Sequence, residues 1–126
     1  MDMFIKHVKF PEDWDNTTRI SYLQRRVIVH SILYYEMSTS VISDIQFDTI
    51  SRQLVALMQS STEEECEAST YWYCMSTFDA STGFYLYSRL NARDKWYLRG
   101  IAAWVLDSYR KYVKWGETDD LQRNGG

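Results

Sequence analysis

Residues 33–58 read LYYEMSTSVISDIQFDTISRQLVALM, and the apolar spacing in and around this stretch decides the fold. Just upstream, Ile20, Leu23, Val27, Ser31 and Tyr34 recur at intervals of three and four, on one face of a helix over 17–37. Asn16 or Thr17 is its expected N-cap, because either side-chain oxygen can accept a free backbone N–H. Ser38-Thr39-Ser40 then interrupts the pattern. Ser43-Asp-Ile-Gln46 has the form of a capping box: Ser43 accepts from the backbone and Gln46 reaches back. It starts a second helix over 44–59, with Phe47, Ile50, Leu54, Leu57 and Met58 as its apolar stripe. Two helices joined by so short a loop fold back as an αα-hairpin.

Ahead of the hairpin, Phe4, Lys6, Val8 and Phe10 alternate as in a short N-terminal strand, which ends at Pro11. Behind it, Thr62-Glu-Glu-Glu65 is a second capping box, and three glutamates suit the positive end of a helix dipole. Residues 69–77 mix strand-forming Tyr, Trp and Thr with a capped start, and helix is the preferred reading. Ser81 is expected to cap a short helix over 83–90. Asn91-Ala-Arg-Asp94 opens a long helix over 92–114, with Trp96, Ile101, Trp104, Val105, Ser108 and Tyr112 on its buried side. Gly116 suits its stop, and the polar residues 117–126 are expected to be a disordered tail. No internal repeat or linker divides residues 1–116. The fold class is all-α: one small helical domain with a central αα-hairpin and a long C-terminal helix.

At 126 residues one hydrophobic core can form without staples. Apolar residues at 45% match a folded chain, while aromatic residues at 16%, with ten Tyr and five Trp, are in excess. Tyr and Trp suit interfaces and ligand pockets as well as cores. So many rings on a small domain leave room for an oligomer. The net charge of −3 supplies no global field for nucleic acid, so no direct nucleic-acid binding is expected. Cys66 and Cys74 are eight apart and far from His7 and His30, which argues against zinc. No secretion-type or membrane-spanning segment is read, so reduced thiols, a cytoplasmic location and no membrane contact are expected.

Phosphate-cradling, zinc-protease and serine-hydrolase motifs are all absent from the sequence. His30 has no readable triad partner, and a hydrogen-bonded boundary role is its ordinary reading. Asp44 and Asp48 are four apart and share a helix face. They could be an acid–base pair, sugar-binding carboxylates or solvated surface groups. The short loop brings them and Phe47 beside Tyr34 and Tyr35. Rings next to carboxylates can stack a planar or cationic group while hydrogen-bonding its hydroxyls.

Residues 33–58 resemble the N-terminal helical subdomain of NAD-dependent DNA ligases, over about a fifth of the chain. The resemblance lies in a tyrosine pair, a short loop, the Ile-Ser-Asp-x-x-(aromatic)-Asp run and a Leu-rich helix. In those ligases the subdomain grips the nicotinamide mononucleotide half of NAD. The resemblance implies a site at Tyr34, Tyr35, Asp44, Phe47 and Asp48, with Tyr34 as the stacking ring and the two aspartates as polar contacts. Phe47 stands where the ligases have Tyr and lacks its hydroxyl. Ser38-Thr39-Ser40 replaces their Asp-x-Pro. The adenylation motif K-x-D-G is missing, so ligase activity is not expected and no cofactor is assigned. The segment Phe78-Asp-Ala-Ser-Thr-Gly-Phe84 with its following aromatic run is similar to small phage and mobile-element proteins.

The expected function is therefore a non-catalytic, phage-type binding protein. Its first reading is an inhibitor of a host defence component, such as a CRISPR effector, through protein contacts. The alternative is a module that holds or sequesters NAD, nicotinamide mononucleotide or a related signal. An enzyme using Asp44 and Asp48 as acid and base comes last, since no nucleophile, metal or oxyanion site accompanies them.

Overall fold

Asp15, rather than Asn16 or Thr17, starts the first helix of the computed structural model: the Thr18 N–H donates to its carboxylate at 2.8 Å. The structure describes residues 7–81 and 83–125, the last part from 114 by backbone alone. Helix α1 (Asn16–Ser31) buries Ile20, Leu23, Val27, Ile28 and Ser31. It is the hub of the fold, packing against α2 (Asp44–Ser60), α3 (Glu63–Glu67), α5 (Leu86–Arg89) and α6 (Ala92–Gly125). With α4 (Trp72–Met75) these are the helices, and no strand occurs among the described residues. The all-α expectation and the central hairpin hold.

Helix α1 does not run on to residue 37. From Ile32 to Glu36 the backbone widens into a π-helical turn, with the Met37 N–H donating to the Ile32 carbonyl at 3.0 Å. The extra residue in that turn shifts the register. Ile32 and Leu33 take the buried side, and Tyr34 and Tyr35 turn outward at 53% and 44% exposure. Tyr34 therefore leaves the apolar face on which a regular helix would put it. The chain reverses through Ser38, whose φ is 51°, and enters α2. There the Gln46 N–H donates to Ser43 Oγ at 3.0 Å, and Ile50 and Leu54 reach the core.

A polar stripe on α1 ties down the segment that follows α2. Thr17 Oγ donates to the Glu65 carbonyl (2.9 Å), and Ser21 Oγ accepts the Thr70 N–H (3.0 Å). Fully buried Gln24 donates to Ser69 Oγ (2.9 Å) and accepts the Tyr71 N–H (3.0 Å). These positions recur at helical spacing, so one face supplies a ladder of partners to the segment, and for the buried Tyr71 N–H the Gln24 amide replaces the water it cannot reach. The Thr62–Glu65 capping box forms as expected, and residues 72–75 are helical.

Four local expectations are corrected. Val8 pairs with no strand: its N–H and carbonyl are both taken by the Gln53 side-chain amide, each at 2.8 Å. Residues Phe4 and Lys6 lie outside the described residues. Ser81 does not cap α5, which begins only at Leu86; its N–H and hydroxyl both donate to Asp79 instead. In α6, capped by Asn91 Oδ1 accepting from the Asp94 N–H (2.8 Å), the buried residues are Leu98 and Ala102, with Ile101 and Val105 beside them. Trp96, Trp104 and Tyr112 are 79%, 69% and 79% exposed: Trp96 sits on the opposite face, Trp104 on its flank, and Tyr112 shares the angular position of the buried stripe but lies farther along the helix. Apolar character suggested core, but the helical period allows only one stripe to reach α1. The helix is continuous in backbone to Gly125. It therefore runs through Gly116 without the expected stop, while the side chains of the expected tail at 117–126 lie outside the described residues.

Candidate ligand-binding site

The π turn and the capped start of α2 face each other across the loop 37–43. Between them lies a cavity of about 300 Å³. Tyr34, Tyr35, Asp44, Phe47 and Asp48 all line it. Two chemical causes bring them together. The widened turn presents consecutive residues Tyr34 and Tyr35 to the same side, and the Ser43 cap sets Asp44, Phe47 and Asp48 on the first turns of α2.

The rings are organised edge to face. Tyr34 and Tyr35 lie 4.8 Å apart at 81°. Tyr35 meets Phe84 at 6.3 Å, and Phe84 meets Tyr85 at 5.9 Å. The Arg89 guanidinium lies over the Tyr85 ring at 4.2 Å. Edge-to-face pairs hold rings in fixed orientation, so the rim presents pre-set aromatic faces. Phe47 is half-buried against the core and forms part of the wall. Asp48 accepts from Arg52 Nε at 2.8 Å along the helix, an exposed pair of small energetic worth. That bond uses one carboxylate oxygen, Oδ2.

Sequence reasoning missed the floor and the opposite wall. His30 and Ser31 form part of the lining, as do Ala80 and Ser81 from the loop after α4. His30 is held to a pKa of about 4, first by burial and then by the Arg26 charge. It is neutral near pH 7. Ser31 Oγ donates back to the Val27 carbonyl at 2.8 Å. Ala80 adopts φ 71°, in the left-handed region that alanine rarely occupies. The Asp79–Ser81 hydrogen bonds stabilise that turn. Only the Phe78-Asp-Ala-Ser-Thr-Gly-Phe84 motif signalled this wall in the sequence, and it carried no geometric information.

The lining combines carboxylate acceptors, a neutral imidazole, hydroxyls and aromatic faces. Its formal charge near neutral pH is negative, from Asp44 and Asp48. Such a cavity suits a planar, electron-poor or cationic ring carrying hydroxyl donors. Ser31 and Ser43 have their hydroxyls engaged, one with the Val27 carbonyl and one as the α2 cap. No group of three metal-ligating side chains gathers among the described residues. No helix among them is long and apolar enough to cross a membrane. Both cysteines are free and buried, and burial raises their thiols, Cys74 to about 11. Scanned against family models, curated proteins and solved structures, the chain matches none.

Proposed function

We propose that this chain is a non-catalytic binding protein whose cavity takes a nicotinamide-type nucleotide. One observation supports the reading above the others: Tyr34, Tyr35, Asp44, Phe47 and Asp48 converge on one cavity. The ligase-like pattern at 33–58 names the same residues for the same ligand. In this reading a tyrosine face stacks on the pyridinium ring, and Asp44 and Asp48 accept from the ribose hydroxyls. The negative lining favours the positive ring and turns the phosphate toward solvent.

Isothermal titration with nicotinamide mononucleotide, NAD and ADP-ribose tests it. Saturable heat is expected with the first two and little with ADP-ribose, which lacks the ring. The Asp44→Ala/Asp48→Ala double variant is expected to lose binding while keeping its helix content. Reduced nicotinamide mononucleotide, whose ring is uncharged, is expected to bind at least several-fold more weakly, on the order of 1 kcal/mol for the lost cation–ring and ion–ion attraction. Equal heats for oxidised and reduced forms would remove the electrostatic part of the proposal.

The inhibitor role is compatible with this site. A small protein that withholds a nucleotide signal opposes a defence component without cutting or modifying anything. Co-expression with a nucleotide-dependent defence system separates the two roles. Protection that disappears in the Asp44/Asp48 variant belongs to sequestration, and protection that persists belongs to protein contacts.

A further inference from the structure

A second concavity lies toward the N-terminal end of α1 and shares no lining residue with the first. It is larger, about 660 Å³, and open to solvent. Aromatic rings dominate it: Trp14 and Tyr22 from one side, Tyr71 from another, Trp96 and Tyr97 from α6. Two guanidinium groups, Arg25 and Arg93, stand among the rings, and Arg25 lies over Tyr22 at 5.7 Å. Among the described residues neither arginine has an ion-pair partner. The carboxylate in the lining, Asp94, accepts from the Tyr73 hydroxyl.

The surface continues along α6. Trp104 follows Trp96 two turns later, about 12 Å along the axis, and exposed Gly100 between them leaves open space where a side chain would stand. Residues 92–113 carry Arg93, Lys95, Arg99, Arg110 and Lys111 against Asp94 and Asp107, a formal charge of +3 in a chain of −3. The whole-chain charge therefore conceals a basic, ring-bearing helix. Unpaired guanidiniums beside exposed ring faces meet two requirements at once: a repeating anion and a repeating flat apolar face.

We infer that this groove binds single-stranded nucleic acid, with Arg25 and Arg93 on phosphates and Trp96 as the stacking face. A single strand is favoured over a duplex because only unpaired bases expose the faces that rings stack on. Other proteins could use the same rings, but they would leave two guanidinium charges without a repeating counter-charge.

The test is fluorescence anisotropy of labelled twelve-nucleotide oligo-dT and oligo-U, of a length about that of one such site, with matched duplex and AMP as competitors. Binding is expected at low salt, with log affinity falling against log salt at a slope of about −1.4 for two phosphate contacts. Arg25→Gln/Arg93→Gln should bring the slope close to zero. Trp96→Ala should weaken binding by about 5- to 150-fold, the range of one lost base stack, and Trp96→Phe should restore most of it. Duplex and AMP should compete poorly. Because Arg93 and Trp96 are exposed, far-UV spectra of these variants should match the parent. No anisotropy change at low salt overturns the inference, and so does binding indifferent to both the arginine and the Trp96 variants. A light-scattering mass of two chains that returns to one in Trp96→Ala would assign the rings to a second copy and also overturn it. None of these outcomes touches the nucleotide titration at Asp44 and Asp48, so either proposal can fail alone.

Discussion

Gln24 carries more of the fold than its polarity suggests. It is fully buried, and each end of its amide satisfies a group that has no access to water. Gln24→Ala leaves the buried Tyr71 N–H unpaired, and an expected loss of about 1–3 kcal/mol should appear in urea unfolding. His30 gives a pH signature. Its folded pKa of about 4 lies below its ordinary 6.5. Below pH 6.5 the unfolded chain therefore takes up the proton first, and stability falls as pH drops from 6.5 toward 4. Above 6.5 both states are neutral and His30 contributes no slope. Denaturation midpoints across pH 4–8 should show this loss, and His30→Gln should flatten it. The same burial lines the cavity between the π turn and α2 with an uncharged imidazole at neutral pH.

At the scale of elements, the π turn and the loop after α4 shape the cavity more than the regular helices do. Gly83 is buried at the end of that loop, and a Cβ there would meet Ser31 Oγ at 2.3 Å. Gly83→Ala is expected to destabilise by about 1–3 kcal/mol through overpacking. Ser31→Ala should recover part of this, since residues in contact are not additive. A double-mutant cycle with no coupling would mean the loop had moved away as a unit. The cap at Ser43 can be tested in the same way. Ser43→Ala should cost about 1 kcal/mol, and it should also weaken nucleotide binding, because the capped turn sets Asp44 and Asp48.

For the molecule as a whole, one helix touches nearly every other, so loss of α1 packing is loss of the core. Cys66 and Cys74 report on this. Both are buried, with thiols raised above the usual range by burial. Alkylation by iodoacetamide at pH 7.5 is expected to be slow in the native protein and fast once it is unfolded, with both thiols reacting together if unfolding is cooperative. A fast single-thiol phase would place one cysteine in a segment that opens independently.

Local patterns in the sequence were sufficient for much of this architecture. The capping residues Ser43, Thr62 and Asn91, the hairpin and the all-α class are set by chemistry within a few positions of each residue. Capping bonds and helical periods are short-range, so one chain suffices to read them. Tertiary structure alone decided the remainder. Whether Trp96 and Trp104 are core or surface depends on which stripe of α6 meets α1, and every ring on that helix is apolar enough for either. Tyr34 turns outward because a π turn absorbs one residue, a register change that no spacing rule announces. Ala80 and Ser81 join the cavity across long stretches of chain, through the closure of the core. The second groove is equally non-local: its two arginines are separated by most of the fold, and only folding places them beside the same rings.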